Sequence, residues 1–98
     1  MRFTQIIDVR TSRLDEMMDL QRQWEAESQD SPYKATVQTT RDRDDPEHCI
    51  VIVTFDSYDE AMANSERPET TEFSQMMSKL ADGPPRFINL DVMHEITV

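Results

Sequence analysis

Cys49-Ile50-Val51-Ile52-Val53-Thr54-Phe55-Asp56-Ser57-Tyr58-Asp59-Glu60-Ala61-Met62 is the stretch that decides the fold. Its first half, Cys49 to Phe55, is β-branched and apolar without alternation. That is the pattern of a strand covered on both faces. Its second half opens with Ser57 and places Glu60 three residues on, the signature of a capping box at a helix start. A strand that needs cover on two sides, followed at once by a helix, points to a sheet with helices layered against it.

Working toward the N-terminus, Arg41-Asp42-Arg43-Asp44-Asp45-Pro46-Glu47 is a charged turn. The segment before it, Tyr33 to Arg41, is therefore the hairpin partner of the apolar strand. Ala35, Val37 and Thr39 alternate there with Thr36, Gln38 and Thr40, which suits an edge strand or one with a wet face. Further back, Leu14, Met17, Met18, Gln21 and Trp24 fall at the spacing of one helical face. Ser12, with Asp15 three residues on, is the expected N-cap of that helix. The helix should fade before Asp30-Ser31-Pro32. Phe3 to Val9 is a first strand.

Toward the C-terminus, the helix begun at Ser57 runs to about Asn64. Pro68 suits the first turn of a third helix, because its missing N–H is not needed there. Phe73, Met76, Met77 and Leu80 form the apolar stripe of that helix. Gly83 is placed to end it in a left-handed conformation, and Pro84-Pro85 prevent its continuation. Phe87 to Val98 is the last strand, with Ile88, Leu90 and Val92 on one face and Phe87, Asn89, Asp91 and Met93 on the other.

The order is β-α-β-β-α-β, with the second helical region split. The expected fold is a single α+β domain over residues 1–98. It is a ferredoxin-like plait, a four-stranded antiparallel sheet with helices on one face. Helices cover only that one face, yet the central strand is apolar on both. Phe87 and Met93 are expected on the uncovered side with some of the aliphatic residues of the first and third strands. Exposed, they would form a patch of the kind that marks an interface. A homodimer packing sheet against sheet resolves this.

Composition narrows the function. The 98 residues carry 20 acids and 10 bases, a net charge of −10. Such a chain repels phosphate backbones and anionic lipid, so neither nucleic acid nor membrane is an expected partner. One glycine leaves no phosphate-cradling loop. Cys49 is the sole cysteine, so no intrachain disulfide forms, and within its apolar run it should behave as a small buried hydrophobe. With no signal-peptide pattern and no membrane-length apolar run, the cytoplasm is the expected location. Neighbouring strand residues point to opposite faces, so neither His48-Cys49 nor His94-Glu95 makes a metal pair, and no metal is expected.

The strand–cap–helix opening is one of several features that together resemble the dimeric α/β-barrel superfamily. The others are Phe55-Asp56-Ser57-Tyr58-Asp59-Glu60-Ala61-Met62-Ala63-Asn64-Ser65 leading into Pro68, and Phe73 in the next helix. The tail Asp82-Gly83-Pro84-Pro85-Arg86-Phe87-Ile88-Asn89-Leu90-Asp91-Val92 completes them. Within that superfamily the chain is most similar to the antibiotic-biosynthesis-monooxygenase-like domains of small bacterial proteins. The resemblance spans roughly the whole chain, and its motifs are structural rather than catalytic. It implies a cofactor-independent oxidation of a small aromatic substrate. Haem-degrading relatives carry a histidine ligand on the helix after the third strand, and Tyr58 to Asn64 contains none.

An oxygenase without a cofactor needs a general base and hydrogen-bond donors in an apolar cavity. Asp91 is the candidate base if burial raises its pKa, with Asn64 as its catalytic partner. Trp24, Met62, Phe73, Met76, Met77 and Asn89 are the candidate ligand-binding residues, for a small apolar or aromatic ligand. Apolar stripes at helical spacing ordinarily fill a core, and asparagines ordinarily sit at helix ends. A non-catalytic homodimer that binds a small molecule or supports another protein is therefore the alternative function.

Overall fold

The computed structural model describes residues 1–98. The chain runs β1 (Phe3–Arg10), α1 (Leu14–Glu27), β2 (Ala35–Asp42), β3 (Asp45–Phe55), α2 (Tyr58–Ser65), α3 (Pro68–Leu80) and β4 (Arg86–Asp91). The four strands form one antiparallel sheet in the order β2-β3-β1-β4. The apolar strand β3 is thus central and the half-polar β2 is an edge, as their patterns require. The hairpin between them is tight, with Arg43 and Asp44 at its tip. The β2–β3 register shifts between Arg41 and Asp42. Pro46, which has no N–H to give a ladder, falls in this irregular stretch of β3.

Register fixes the two faces. Phe3, Gln5, Ile7 and Val9 of β1 pair with Phe55, Val53, Val51 and Cys49 of β3, and this is the helix side. Its core has two centres. Val9, Met17, Cys49 and Val51 form one, and Phe3, Phe55 and Ala61 form the other. Cys49 is buried among them, and that burial raises its thiol pKa.

The register also corrects the expected faces of β4. Phe87 pairs with Ile7, so Phe87, Asn89 and Asp91 lie on the helix side. The uncovered face carries Ile6, Ile50, Ile52, Ile88 and Leu90 instead. Ile52, Ile6 and Ile88 stand in line across three adjacent strands. Phe87 is nonetheless exposed, because it sits on an edge strand. The last strand is also shorter than expected. It ends at Asp91, and Val92 adds one backbone hydrogen bond to the Arg2 carbonyl. Met93 to Val98 form no strand, and within them Glu95 pairs with Arg2 at 2.7 Å.

Helix boundaries follow local chemistry, with two corrections. Ser57 caps α2 as its spacing demands, its hydroxyl accepting from the Glu60 N–H at 3.2 Å. Pro68 occupies the first turn of α3. Ser12 does not cap α1; the N-cap position is Arg13 and has no side-chain cap. The buried hydroxyl at this junction belongs to Thr11. It accepts from the Arg13 N–H at 2.9 Å and donates to the Leu80 carbonyl at 2.7 Å. Arg13 reaches the neighbouring Lys79 carbonyl. The carbonyls at the end of α3, orphaned by the helix terminus, are thus satisfied by the β1–α1 turn. Gly83 is the second correction. The helix is closed by Ala81 in an extended conformation, and Gly83, with φ of 131°, serves the turn into β4.

Substituting Thr11 separates these readings of the junction. Thr11→Val, which leaves the Leu80 carbonyl and Arg13 N–H unpaired, is expected to lower unfolding free energy in urea by about 1–3 kcal/mol. Ser12→Ala is expected to stay within about 0.5 kcal/mol of the unaltered chain.

Candidate functional site

The three helices cover the sheet incompletely. No residue of α3 is fully buried, and α1 buries only Met17 and Gln21. The two helices lean on each other instead. Trp24 of α1 and Phe73 of α3 meet with ring centroids 5.2 Å apart and planes tilted by 31°. Beneath this aromatic bridge lies a cavity of about 760 Å³ between helices and sheet. Its floor is the apolar helix-side face, including Phe3, Ile7, Val51, Val53 and Phe55. Its size falls within the range of small-molecule sites. The exposed lining residues Glu25, Gln29, Lys34 and Phe87 mark where it meets solvent.

The structure brings together five of the eight candidate site residues. Trp24, Met62, Asn64, Phe73 and Met77 all line the cavity. Three others lie outside its lining. Met76 is exposed, for a geometric reason: at about 100° per residue it falls about 100° from Met77 and about 160° from Ser74, both of which line the cavity, and so on the far side of α3. Asn89 is exposed on β4 and accepts a hydrogen bond from the Gln5 amide at 3.0 Å. Asp91 is exposed at the end of β4, opposite Phe3 in the register, so the burial needed to make it a base is not present.

Polar groups in the lining include some that the sequence alone does not single out as site residues. Gln21 and Asn64 are buried residues whose amide groups make no hydrogen bond within the chain and keep some access to the cavity. The Thr70 hydroxyl is buried without a partner. Gln21 did carry a signal: it is the one polar residue in the apolar series of α1. Thr70 carried none, because a threonine in a first helical turn is ordinary. The only lining side chains charged at neutral pH are Glu25 and Lys34, both exposed.

The other cluster of ionisable groups lies on the opposite face of the sheet. His48 sits between two carboxylates, with Nε2 2.7 Å from Asp8 and Nδ1 3.1 Å from Asp42. The Asp8 and Asp42 hydrogen bonds, in that order, raise the His48 pKa above its ordinary 6.5. Asp42 is in turn held low, first by the Asp44 N–H and then by His48. With the sheet between them, this trio cannot reach a ligand in the cavity. No group of residues here is arranged to hold a metal ion, and no helix is long and apolar enough to cross a membrane.

No family model and no curated protein sequence matches the chain. Solved structures do. A proposed antibiotic biosynthesis monooxygenase from Caulobacter crescentus aligns with TM-score 0.81 at 14% identity, over 95% of this chain and 91% of that one. SnoaB, a cofactor-independent oxygenase from Streptomyces nogalater solved as an asparagine-to-alanine variant, aligns with TM-score 0.79 at 12% identity, over 97% and 96%. A further proposed monooxygenase of this kind, from Nitrosomonas europaea, gives TM-score 0.78 at 12% identity, over 95% and 91%. The fold is that of the antibiotic-biosynthesis-monooxygenase-like proteins. At such identities the likeness concerns the fold alone. On this monooxygenase-like fold, the cavity is defined by the chain's own residues.

The His48 trio gives a pH dependence with a definite sign. A raised histidine pKa contributes stability that is full below the unfolded value, about 6.5, and is lost as pH rises through the folded value. The stability gap between the unaltered chain and Asp8→Asn is therefore expected to be wider at about pH 6 than at about pH 9, shrinking as pH rises through the folded His48 value. In NMR titrations the His48 midpoint is expected to fall in Asp8→Asn. An unchanged midpoint would dissociate His48 from Asp8.

Proposed function

We propose that the chain is a homodimer closed through its open sheet face, and that its cavity takes a small aromatic molecule and oxidises it with molecular oxygen and no cofactor. The observation that carries the reading is Asn64. It is a buried residue whose amide has no partner in the chain and is accessible from a cavity walled by Trp24, Phe73 and three methionines, Met17, Met62 and Met77. A hydrogen-bond donor in an apolar cavity holds the oxygen of a neutral phenol and stabilises the negative charge that develops on it as the ring is oxidised, better than water does. Methionines adapt to flat ligands. For a phenol oxidised to a quinone, one oxygen atom of O₂ enters the ring and the other leaves as water. The substrate supplies all four electrons.

The dimer follows from the open face. Ile6, Ile52 and Ile88 form a continuous apolar line there, flanked by Ile50 and by Leu90, which is 43% exposed. A two-fold partner buries the same strip on both copies.

A second reading is favoured by the placement of the ionisable groups. Asp91 is exposed outside the cavity, and both charged lining residues face solvent. The cavity then holds its ligand without turning it over.

An oxygen electrode with a polycyclic phenol distinguishes the two. Turnover is expected to consume one O₂ per substrate and to add one oxygen atom and remove two hydrogens, as read by mass spectrometry. Asn64→Ala is expected to slow it by roughly 100-fold, and Asp91→Asn to leave it unchanged. Binding with no oxygen uptake would establish the second reading. For the dimer, light scattering is expected to give twice the 11.5 kDa chain mass. Ile52→Asp is expected to halve that value with the helical circular dichroism retained. A wild-type mass of 11.5 kDa would overturn the dimer.

A further inference from the structure

Gln21 stands on the face of α1 that turns toward the sheet, one helical turn beyond Met17. It is only 5% exposed, lines the cavity, and makes no side-chain hydrogen bond within the chain. Asn64, 9% exposed at the end of α2, is in the same condition. Of the carboxamides that line the cavity, the two on buried residues come from two different helices. Their amide atoms are not sealed off but stay accessible from the cavity, and neither has a structural duty such as a cap or a turn bond made by its side chain. A leucine in place of Gln21 would continue the apolar series of α1 without interruption. The polar groups are therefore suited to something the cavity holds.

We infer that Gln21 is a specificity-determining residue of this cavity and that, with Asn64, it selects an uncharged aromatic ligand bearing a hydrogen-bonding oxygen over both the bare hydrocarbon and the matching carboxylate. The inference deepens the proposed function and rests on its premise that the cavity binds a small aromatic molecule. The physical grounds are two. A hydrocarbon entering the cavity strips water from the amides and returns no hydrogen bond, which costs more than the contact is worth at those atoms. A carboxylate would be buried with no cation beside it. Lys34 is the only basic lining residue and it is exposed, while the chain as a whole carries −10. Uncharged oxygens, carbonyl or hydroxyl, accept from the amide N–H groups without either penalty.

The test uses the full chain and three probes of one shape, naphthalene, 2-acetylnaphthalene and 2-naphthoate, with binding measured by equilibrium dialysis at neutral pH. 2-Acetylnaphthalene is expected to bind roughly tenfold more tightly than either of the others, the size of one neutral hydrogen bond. Gln21→Leu is expected to remove most of that advantage over naphthalene while leaving naphthalene itself bound as well or better. Gln21→Met serves as a second variant of similar length should the first fold poorly, with the same expectation. Equal affinity for all three probes in the unaltered chain would overturn the inference and leave the cavity reading standing. So would a preference that survives in both variants, since recognition would then lie elsewhere. Failure of all three probes to bind would overturn the cavity reading itself and the inference with it.

Discussion

Strand β3 is hydrogen-bonded on both sides, to β2 and to β1, and is apolar above and below. Everything else in the molecule answers that constraint. Cys49, Val51, Val53 and Phe55 require helices over one face, and Ile50 and Ile52 require cover over the other. One short chain supplies only the first. With 10 of 98 residues buried, its own core is thin for a domain of this length. The uncovered isoleucine line is therefore a place where burial by a second subunit has the most to add.

The helix side is governed by how α1 and α3 rest on one another. Trp24 against Phe73 holds the two helices together above the sheet, and the Thr11 and Arg13 contacts fasten the end of α3 to the start of α1. At the other end of α3, Arg67 donates to the Ser31 hydroxyl and pairs with Glu69, linking the segment before β2 to the helix start. These ties fix the helices by their ends and by one aromatic contact. The middle of α3 is left standing off the sheet, and the cavity is the space beneath it. Such a cavity is maintained by tethers, so side chains facing it are free to serve a ligand rather than the fold.

The fold was legible because its signals are local. The double-faced β3, the Ser57–Glu60 cap and Pro68 each carry their meaning within a few residues. The faces of β4 were not legible in that way. Alternation shows that Phe87 and Ile88 point oppositely, but which of them meets the helices depends on the register with β1, a contact between residues about 80 apart in the chain. The same limit explains the junction at Thr11, whose partner Leu80 lies 69 residues away. For the cavity, helical spacing puts Phe73 and Met77 on one side of α3, and only the packing of α1 against α3 brings Trp24 to them. Asp91 has the chemistry of a base, but its exposure follows from where the edge strand β4 ends, which composition does not encode. Gln21 was visible as a polar interruption of an apolar stripe, and only its burial without a partner gives that interruption meaning.

Trp24 is the single tryptophan of the chain. It lies against Phe73 at the roof of the cavity, so the chain's one indole is stationed where an occupant would arrive. Emission excited selectively at the indole therefore comes from that roof alone, undiluted by any other site in the subunit. Its wavelength and intensity register how wet the space beneath it is, which makes the protein an optical gauge of its own interior.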